Sequence, residues 1–550
     1  SRHFYPASSF RLTAKKQYEG ENFLGCSFFD QKPYIKNKGV MIRNGGNDNY
    51  CRIKDAAIHQ IVQLSGMHVD LQSWQPAHIF INGAYQFMFN IREPSNKNNG
   101  YANYGIDTDL MDQFEINYVD GYVQKTGNDT AFRRWMSLAE QLADNPEDEV
   151  IYEEICKLVD IDEYCNYMAL QCYLGSGDWA TNSNNIKGYR SQEDGGKFHM
   201  VFFDVDAAFG TTNMLSSLRN SLNDSRYDTG KNFIIDIFLN MLCHEGFKKQ
   251  FVDTFCLVGG SIFEPGRCKT IINEMVSLTT TALGFDGYSP SGTANSLINT
   301  ITTSDSNTRV NNMRNYFGLA SGNSVSLSSN IDGACLQVNG LDVPTGKFSG
   351  TLFLPVTLTA QAPAGYRFAG WIDSNGNTVS ADSVFNFSAR SYNMVATFEK
   401  LDDSKLIDAL AMPVKVNEVS AANTIYINDH FKKNDWIELY NNTDTDLDAG
   451  GLYISDDIDD PLKYQIPSNI AVNTIIPANG HLVVWADNLT PVTQLHAPFK
   501  LGNNNGEMVV VTSSDAFVAN NASFFAAHPD LQGFSDGLTY KSHDGVQSVG

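Results

Sequence analysis

The chain has 550 residues, too many for one ordinary domain, so about three or four domains are expected. Its 42% hydrophobic and 12% aromatic residues can fill several cores, which excludes wholesale disorder. Its 62 acidic and 39 basic residues leave a net charge of −23, which opposes non-specific binding to nucleic acid or to an anionic membrane.

The first 322 residues predict short strands followed by longer helices. The predicted strand and hairpin segments are 10–13, 39–43 and 77–91, and the predicted helices are 55–64, 109–118, 131–144, 147–159 and 162–174. Asn82-Gly83 is a typical hairpin turn, and Asp160 or Asp162 would cap the last helix. This order of elements is typical of an α+β fold.

The composition changes near residue 322. Residues 324–399 alternate Ser, Thr, Val and Phe without a helical period, which predicts a small all-β module. A short linker helix is predicted to end before Pro413, and a second all-β module follows it. The predicted division of the chain is 1–322, 323–400, 401–413 and 414–550.

Charge and hydropathy restrict the environment of the protein. Residues 401–550 contain 7 Lys, no Arg and 20 Asp or Glu, a net charge of −13, which argues against a role facing DNA. No stretch of 18 apolar residues occurs, so no transmembrane segment is predicted. The chain begins with Ser and without a signal peptide, so we expect it to be part of a longer precursor.

The nine cysteines do not follow the spacing of a metal site or of a disulfide framework. No C-x-x-C pair is present. Five of them lie in apolar, helix-like segments and are predicted to be buried free thiols. These are Cys156, Cys165, Cys172, Cys243 and Cys256. An odd count leaves the redox compartment open.

Residues 178–210 contain the side chains that suggest chemistry. Asp178 precedes the amide pair Asn184-Asn185, and an apolar strand over residues 200–203 leads into Asp204 and Asp206. Mg²⁺ prefers oxygen ligands from Asp and Asn, and phosphoryl transfer needs mainly positioning, a divalent metal and a residue that orients the nucleophile. The pattern suggests a metal-nucleotide site, with solvated turn acids as the simpler alternative.

Several sequence blocks occur in one order along the first 322 residues. They are residues 1–12 (SRHFYPASSFRL), 43–48 (RNGGND), 82–85 (NGAY), 92–93 (RE), 177–179 (GDW), 184–185 (NN), 204–210 (DVDAAFG) and 309–317 (RVNNMRNYF). In this order they resemble the spore-coat protein H (CotH) family of atypical, kinase-like proteins. The resemblance implies a reduced protein-kinase fold that uses ATP and Mg²⁺.

The resemblance also implies roles for particular residues. Asp178 would orient the acceptor hydroxyl, as the catalytic-loop aspartate of a kinase does. Asn185 and Asp204 would hold Mg²⁺, and Asp206 would support the metal site. The helix over residues 55–64 would pack behind the nucleotide.

Three further residues would contact ATP. Glu93 would lie at the hinge beside adenine, Asn184 beside the metal, and Ser8 near the phosphates. Glu93 also has a simpler interpretation as a solvated acid at the end of a strand.

Two positions depart from the family pattern. Family members usually carry Lys where this chain has Ser8, so a phosphate-contacting cation is missing. Lys15 or Lys16 could replace it, but each is more simply a solvated surface lysine. Asn184 follows Asp178 by six residues, one more than expected. One extra residue moves a ligand by up to about 3.5 Å, enough to spoil an octahedral site unless the loop bulges.

Blocks in the last module are typical of another family. They are residues 416–419 (VNEV), 435–441 (DWIELYN), 451–456 (GLYISD) and 477–487 (PANGHLVVWAD). They resemble the lamin-tail domain, an immunoglobulin-like sandwich, in which Trp436 and Trp485 are expected to be core anchors. The acidic run over residues 456–460 is expected to be a solvated loop rather than a calcium site.

The middle module resembles the internalin-type B-repeats of bacterial surface proteins, through residues 365–371 (GYRFAGW). Such modules usually act as spacers. This combination implies an exported bacterial protein, extracellular or at the cell surface.

Two functions therefore follow from the sequence. The first is an exported kinase-like enzyme that phosphorylates Ser or Thr on a protein partner with Mg-ATP. The second is a catalytically inactive scaffold or binding protein that keeps the kinase fold. The acids at 178, 204 and 206 favour the enzyme, whereas Ser8 and the displaced amides favour the scaffold.

Overall fold

The computed structural model describes residues 8–20, 24, 26, 28–29, 37–48, 51–222, 228–363, 366–387, 392–400, 412–504, 506–543 and 547–550. The predicted linker helix falls on residues 401–412 and lies almost entirely outside this described part. The chain forms two compact units. The first comprises Ser1–Ala102 and Ile106–Glu399, and the second comprises Asn103–Gly105 and Lys400–Gly550.

The first unit begins with an antiparallel four-stranded sheet. Its strands, in spatial order, are Phe10–Thr13, Gly39–Arg43, Ala84–Arg92 and Trp74–Ile81. Both predicted strands and the predicted hairpin are confirmed. Asn82 and Gly83 have φ values of 52° and 79°, so both turn residues are left-handed, as the tight hairpin turn requires.

A second sheet of five strands follows in the same unit. In spatial order the strands are Asp70–Leu71, His199–Phe202, Ile186–Ser191, Met111–Asn117 and Gly121–Thr126. The helix predicted over residues 109–118 is therefore wrong. Met111 and Phe114 are three positions apart, which imitates helical spacing, but both are core residues of a strand paired on both edges. Such a strand loses the simple alternation of apolar and polar residues.

Helices make up most of the remaining described residues up to residue 322. Those of eight residues or more are Lys54–Gln63, Lys97–Tyr104, Thr130–Asp144, Glu149–Leu158, Ile161–Leu174, Met214–Ser221, Phe233–Met241, Glu245–Leu257, Pro265–Phe285, Ser291–Thr300 and Thr303–Phe317. Asp160 is the N-cap of Ile161–Leu174 and accepts a hydrogen bond from the Glu163 amide. None of the helices in the described residues is long and apolar enough to span a membrane.

The cysteines are all free thiols. Cys165, Cys172 and Cys256 are buried as predicted, and burial raises the pKa of each thiol. The prediction is wrong for Cys243, which is exposed because its helix ends at Met241. Cys156 is only partly buried.

The middle module consists of two sheets. One contains Phe348–Leu352, Asn323–Ser329, Tyr392–Lys400, Tyr366–Asp373 and Thr378–Ser380, and the other contains Leu341–Asp342, Cys335–Val338, Val356–Gln361 and Val384–Phe387. Its first and last strands, Asn323–Ser329 and Tyr392–Lys400, pair in parallel from Val325↔Tyr392 to Ser329↔Ala396.

The middle module shares one hydrophobic core with the helical region before it. Phe348 packs so closely on Gly260 that a Cβ there would lie 2.4 Å from its ring. Ser261 and Thr345 are joined by a hydroxyl hydrogen bond of 2.8 Å. The predicted division near residue 322 therefore falls within a continuous core.

The second unit is the predicted β-sandwich. One sheet contains Val414–Ser420, Asp435–Asn441, His481–Ala486 and Leu495–Ala497, another contains Tyr464–Gln465, Tyr453–Ser455, Glu507–Thr512 and Ser535–Tyr540, and a third pairs Leu447–Asp448 with Ile475–Ile476. Two short helices that were not predicted, Asp515–Asn520 and Ala522–Ala527, lie before the last strand.

Trp436 and Trp485 are buried, as predicted, but they lie outside the main hydrophobic cluster of the sandwich. They pair across adjacent strands and are buried. Their neighbours Ile437 and Val484 belong to the sandwich core, however. Because successive side chains of a strand point to opposite faces, the two indoles lie on the face away from that core.

Candidate functional site

The acid pair directly follows a buried strand, as predicted. His199–Phe202 is that strand, and Asp204 after it has a φ of 54°. A left-handed aspartate is uncommon and persists only where the surroundings hold it. The next amide, that of Val205, donates to Asp55 Oδ1 at 2.9 Å. This anchor leaves the Asp204 carboxylate partly exposed, whereas Asp206 is buried.

Two arginines and two acids form an ion-pair cluster beside this turn. Arg43, the last residue of its strand, places Nη2 2.6 Å from Asp204 Oδ1 and Nη1 3.9 Å from Asp55 Oδ2. Arg92 Nη2 lies 3.3 Å from Asp55 Oδ2. The cluster thus joins the first sheet, the helix Lys54–Gln63 and the turn that carries Asp204.

The charges of the cluster shift one another's proton affinities. Burial would raise the pKa of Asp55, but Arg92 and Arg43 outweigh it and hold the pKa well below its usual range. Burial would lower the pKa of Arg43, but Asp55 and Asp204 raise it. Arg92 is almost fully buried, and its guanidinium has no hydrogen-bond partner among the described residues. The cluster therefore retains unused donors on a positively charged group.

A glycine-containing loop packs against the second acid of the pair. The Asn47 amide donates to Asp206 Oδ2 at 3.0 Å, and Asn47 Nδ2 donates to Oδ1 at 3.1 Å. Gly46 has a φ of 61°, and a Cβ there would lie only 2.6 Å from Asp206 Oδ2. Burial and the neighbouring Asp204 raise the pKa of Asp206. Only glycine permits this close approach of the loop to the carboxylate.

Gly46→Ala is expected to destabilise the site because the added methyl group would displace Asp206. We expect a loss of about 1–3 kcal/mol in the free energy of unfolding, beyond the cost of the left-handed backbone. Gly66→Ala is the matched control, since Gly66 also has a positive φ, 75°, but no atom within 4 Å of the place that a methyl group would take. Thermal melting of both variants measures the difference, and equal losses would contradict the proposed contact.

The two predicted amides both contact Asp178. Asn184 Nδ2 donates to Asp178 Oδ1 at 3.0 Å, and Asn185 Nδ2 donates to the Asp178 backbone carbonyl at 2.9 Å. Ser183 and Asn185 have φ values of 53° and 54°. These two left-handed residues let the loop absorb the extra residue that the sequence contains.

The segment with Asp178 and the segment with the acid pair run side by side. The Gly177 amide donates to the Ala207 carbonyl at 3.3 Å, and the Thr211 amide donates to the Gly175 carbonyl at 3.1 Å. Lys54 Nζ also donates to the Ala208 carbonyl, at 2.9 Å. The backbone thus brings the two predicted groups together, although no described hydrogen bond or ion pair joins their side chains.

The remaining predicted residues differ in burial. Ser8 is exposed, and no described side-chain contact joins it to the acid pair. Lys15 and Lys16 are also exposed. Glu93 is only 1% exposed and accepts a hydrogen bond from the Ser73 amide at 2.9 Å. The interpretation of Glu93 as a solvated strand-end acid is therefore wrong, while its place at an adenine hinge stays a prediction.

The sequence did not predict that Arg43, Arg92 and Asp55 belong to the site. Arg43 ends a correctly predicted strand and directly precedes Asn44-Gly45-Gly46. A cation at a strand end before two glycines is the signal that could have identified it. Asp55 lies in the first turn of the predicted helix, where a cap-like acid is ordinary, so no local signal distinguishes it.

Family models match three parts of the chain. The CotH kinase protein family matches residues 1–319, the divergent InlB B-repeat domain matches 344–402, and the lamin tail domain matches 418–527. The three families and their order agree with the resemblances in the sequence. No curated protein matches the chain.

Among solved structures, the chain matches a crystal structure of a DUF4876 family protein from Bacteroides thetaiotaomicron VPI-5482. The sequences are 10% identical, and the match covers 42% of this chain and 77% of that chain. The TM-score is 0.13, too low to indicate a shared fold.

Proposed function

Because the chain belongs to the CotH kinase protein family and is kinase-like, we propose that it transfers phosphate from Mg-ATP to a Ser or Thr hydroxyl of a protein partner. The observation that carries the proposal is the ion-pair arrangement of Arg43, Asp55 and Asp204. In protein kinases a strand-borne cation pairs with an acid on a helix, and an aspartate after a later strand holds the metal. The likeness to this arrangement is an analogy of geometry.

The side chains at the site are suited to Mg²⁺. Asp204, Asp206 and Asn185 offer carboxylate and amide oxygens, the ligands that Mg²⁺ prefers. Asp204 helps to raise the pKa of Asp206, so the two carboxylates repel each other and a divalent cation would relieve that repulsion. When bound, Mg²⁺ offsets the negative charge of the nucleotide phosphates.

The arginines are suited to an anionic ligand. Arg43 is partly exposed, whereas Arg92 is buried. Guanidinium groups recognise phosphate oxygens with directed, charge-assisted hydrogen bonds. Arg43 would therefore supply the cation that the sequence lacks at Ser8, and Arg92 would reinforce the positive charge.

Asp178 would position the acceptor. Its Oδ1 is fixed by Asn184, so the carboxylate is held in one orientation. A fixed carboxylate can accept the proton of a Ser or Thr hydroxyl as that oxygen attacks the γ-phosphorus of ATP, while the bond to the bridging oxygen breaks and ADP leaves with its electron pair. Asn184 would then act on the acceptor through Asp178.

The proposed partner is a protein outside the cell or on its surface. The B-repeat and lamin-tail families match residues 344–402 and 418–527. The net charge of −23 disfavours nucleic acid as a partner. Export of the protein is thus part of the proposal.

The alternative function is a scaffold that keeps the kinase fold without turnover. The 2.6 Å ion pair of Arg43 with Asp204 favours this alternative, because it already neutralises the proposed metal ligand. If the protein is an enzyme, Asp204 must bind Mg²⁺ even though it already forms an ion pair with Arg43. Nucleotide binding that depends on Mg²⁺ therefore separates the two functions.

Calorimetric titration of ATP, with and without Mg²⁺, tests the proposed function. We expect binding to the parent only with Mg²⁺, and Asp204→Asn to weaken it at least about tenfold, or about 1.4 kcal/mol. Asp194→Asn is the matched control, since Asp194 is an exposed acid in the turn before the same strand. If the parent protein does not bind Mg-ATP, the result would support the scaffold function. If Asp204→Asn binds Mg-ATP as tightly as the parent, other residues must hold the metal.

A further inference from the structure

The lamin-tail module contains a cluster of two histidines and two acids, one histidine on the strand Leu495–Ala497 and the other three residues in loops. Asp429 Oδ1 lies 2.8 Å from His496 Nε2 and 3.9 Å from His430 Nε2. The ligand atoms of these three residues all lie within 4.8 Å of one another. His430 Nε2 is also 2.7 Å from the Thr490 carbonyl oxygen. Three side-chain ligand atoms therefore lie close together, and the Thr490 carbonyl oxygen lies beside one of them.

The orientation of His496 is fixed by a contact of its other ring nitrogen, Nδ1. Its Nδ1 lies 2.8 Å from Asp487 Oδ1, and both side chains are fully buried. Asp487 Oδ2 in turn accepts hydrogen bonds from Asn428 Nδ2 at 2.7 Å and Asn434 Nδ2 at 2.9 Å. A carboxylate that accepts from one ring nitrogen, and so turns the other toward an ion, is the usual support of a metal-binding histidine.

Asp429 is oriented in the same way. Its Oδ2 accepts hydrogen bonds from the backbone amides of Thr493 at 2.6 Å and Gln494 at 2.8 Å. Its Oδ1 therefore faces His496. The imidazole thus lies between two carboxylates, so its Nε2 carries either a proton that it donates to Asp429 or a metal ion that it shares with Asp429.

We propose that Asp429, His430 and His496 form a Zn²⁺ site in the lamin-tail module. Two imidazole nitrogens and one carboxylate oxygen suit Zn²⁺ better than Mg²⁺ or Ca²⁺, which prefer oxygen ligands alone. Zinc bonds of about 2.0–2.2 Å place tetrahedral ligands roughly 3.3 Å apart, so the observed separations need only small adjustments. The Thr490 carbonyl or a water would complete the coordination.

Binding exchanges protons for the metal. His496 and His430 each bind Zn²⁺ through a deprotonated Nε2, and any proton on these atoms leaves to solvent. His496 keeps its Nδ1 proton, which it donates to Asp487. The ion would link the loop of residues 428–434 to His496 on the strand Leu495–Ala497, so it stabilises the module.

The test is Zn²⁺ titration of the full chain by calorimetry after treatment with a chelator. The exposed thiols of Cys26 and Cys243 are alkylated first, because thiolates also bind zinc. We expect one tight equivalent of Zn²⁺ in the parent and also in Asp204→Asn, which removes one carboxylate of the competing acid pair. His430→Ala should weaken that equivalent at least tenfold and abolish the zinc-dependent rise in melting temperature. His430 is 31% exposed, so this variant should fold.

His481→Ala is the matched control, since His481 is an exposed histidine of the same module with a side chain 46% exposed. It should bind Zn²⁺ like the parent, and Mg²⁺ or Ca²⁺ should not compete. Equal affinity in His430→Ala and His481→Ala would overturn the proposal. So would NMR spectra that show both ring nitrogens of His496 protonated in the presence of excess Zn²⁺, because a proton would then fill the place assigned to the metal.

Discussion

Asp178→Ala is expected to lower phosphate transfer to a protein or peptide acceptor by roughly 10²–10⁴-fold. The reason is that Asp178 would take the proton of the Ser or Thr hydroxyl that is phosphorylated. Asp178 also lies outside the cluster around Arg43. Mg-ATP affinity should therefore change little. Transfer is measured with labelled ATP, and affinity by calorimetry on the same preparation.

Asp194→Ala is the control for this loss, as an exposed acid of the same region. Asn184→Ala provides a second comparison, because it removes the 3.0 Å hydrogen bond to Asp178 and leaves the carboxylate. Its rate should lie between those of the parent and Asp178→Ala. If Asp178→Ala transferred phosphate as fast as the parent, the assigned role of Asp178 would be wrong.

Asp55→Ala is expected to destabilise the kinase-like region by about 3–5 kcal/mol. It leaves the buried Arg92 without its counter-charge and removes the acceptor of the Val205 amide. Amide hydrogen exchange of helix Lys54–Gln63 measures the local free energy of opening. Glu153→Ala, an exposed acid on helix Glu149–Leu158, should change that free energy by no more than about 0.5 kcal/mol.

The effect of Asp55 should depend on pH in a defined direction. Its folded pKa is depressed, because Arg92 and Arg43 outweigh the effect of burial. A depressed pKa contributes stability above the unfolded value of about 3.9, and that stability is lost as the pH falls through the folded pKa. The difference between the parent and Asp55→Asn should therefore shrink below about pH 4. A difference that grew there would contradict the ion-pair assignment.

Local signals were sufficient where one feature determines one element. The Asn82-Gly83 turn determines the hairpin because only residues that tolerate a positive φ close a two-residue loop. Asp160 determines the start of its helix through a hydrogen bond to a residue three positions away. The strand before Asp204 was predictable from its short apolar run.

Long-range contacts explain what the sequence did not predict. Residues 111–117 form a strand because partners on both sides supply hydrogen bonds, and those partners lie up to 80 positions away in sequence. Arg43 and Asp204 are 161 positions apart, so no window of sequence connects them. The fold was therefore needed to identify Arg43 as the proposed cation, whereas comparison of single positions with the family pattern pointed to Ser8.

The loop that carries Asn184 and Asn185 was predicted in part: its residues were identified from the sequence, but its conformation was not. The extra residue between Asp178 and Asn184 argued against a metal site, because it could move the amide ligands out of reach of the metal. The structure accommodates the extra residue through the left-handed Ser183 and Asn185. Both amides then contact Asp178.

The parallel pairing of Asn323–Ser329 with Tyr392–Lys400 has a mechanical consequence. The polypeptide enters the middle module at one end of this strand pair and leaves it at the opposite end. Tension along the chain would thus pull the two strands past each other and load all the paired residues from Val325↔Tyr392 to Ser329↔Ala396 at once. A hairpin pulled from its ends would open one hydrogen bond at a time, whereas this pair resists as a unit in shear.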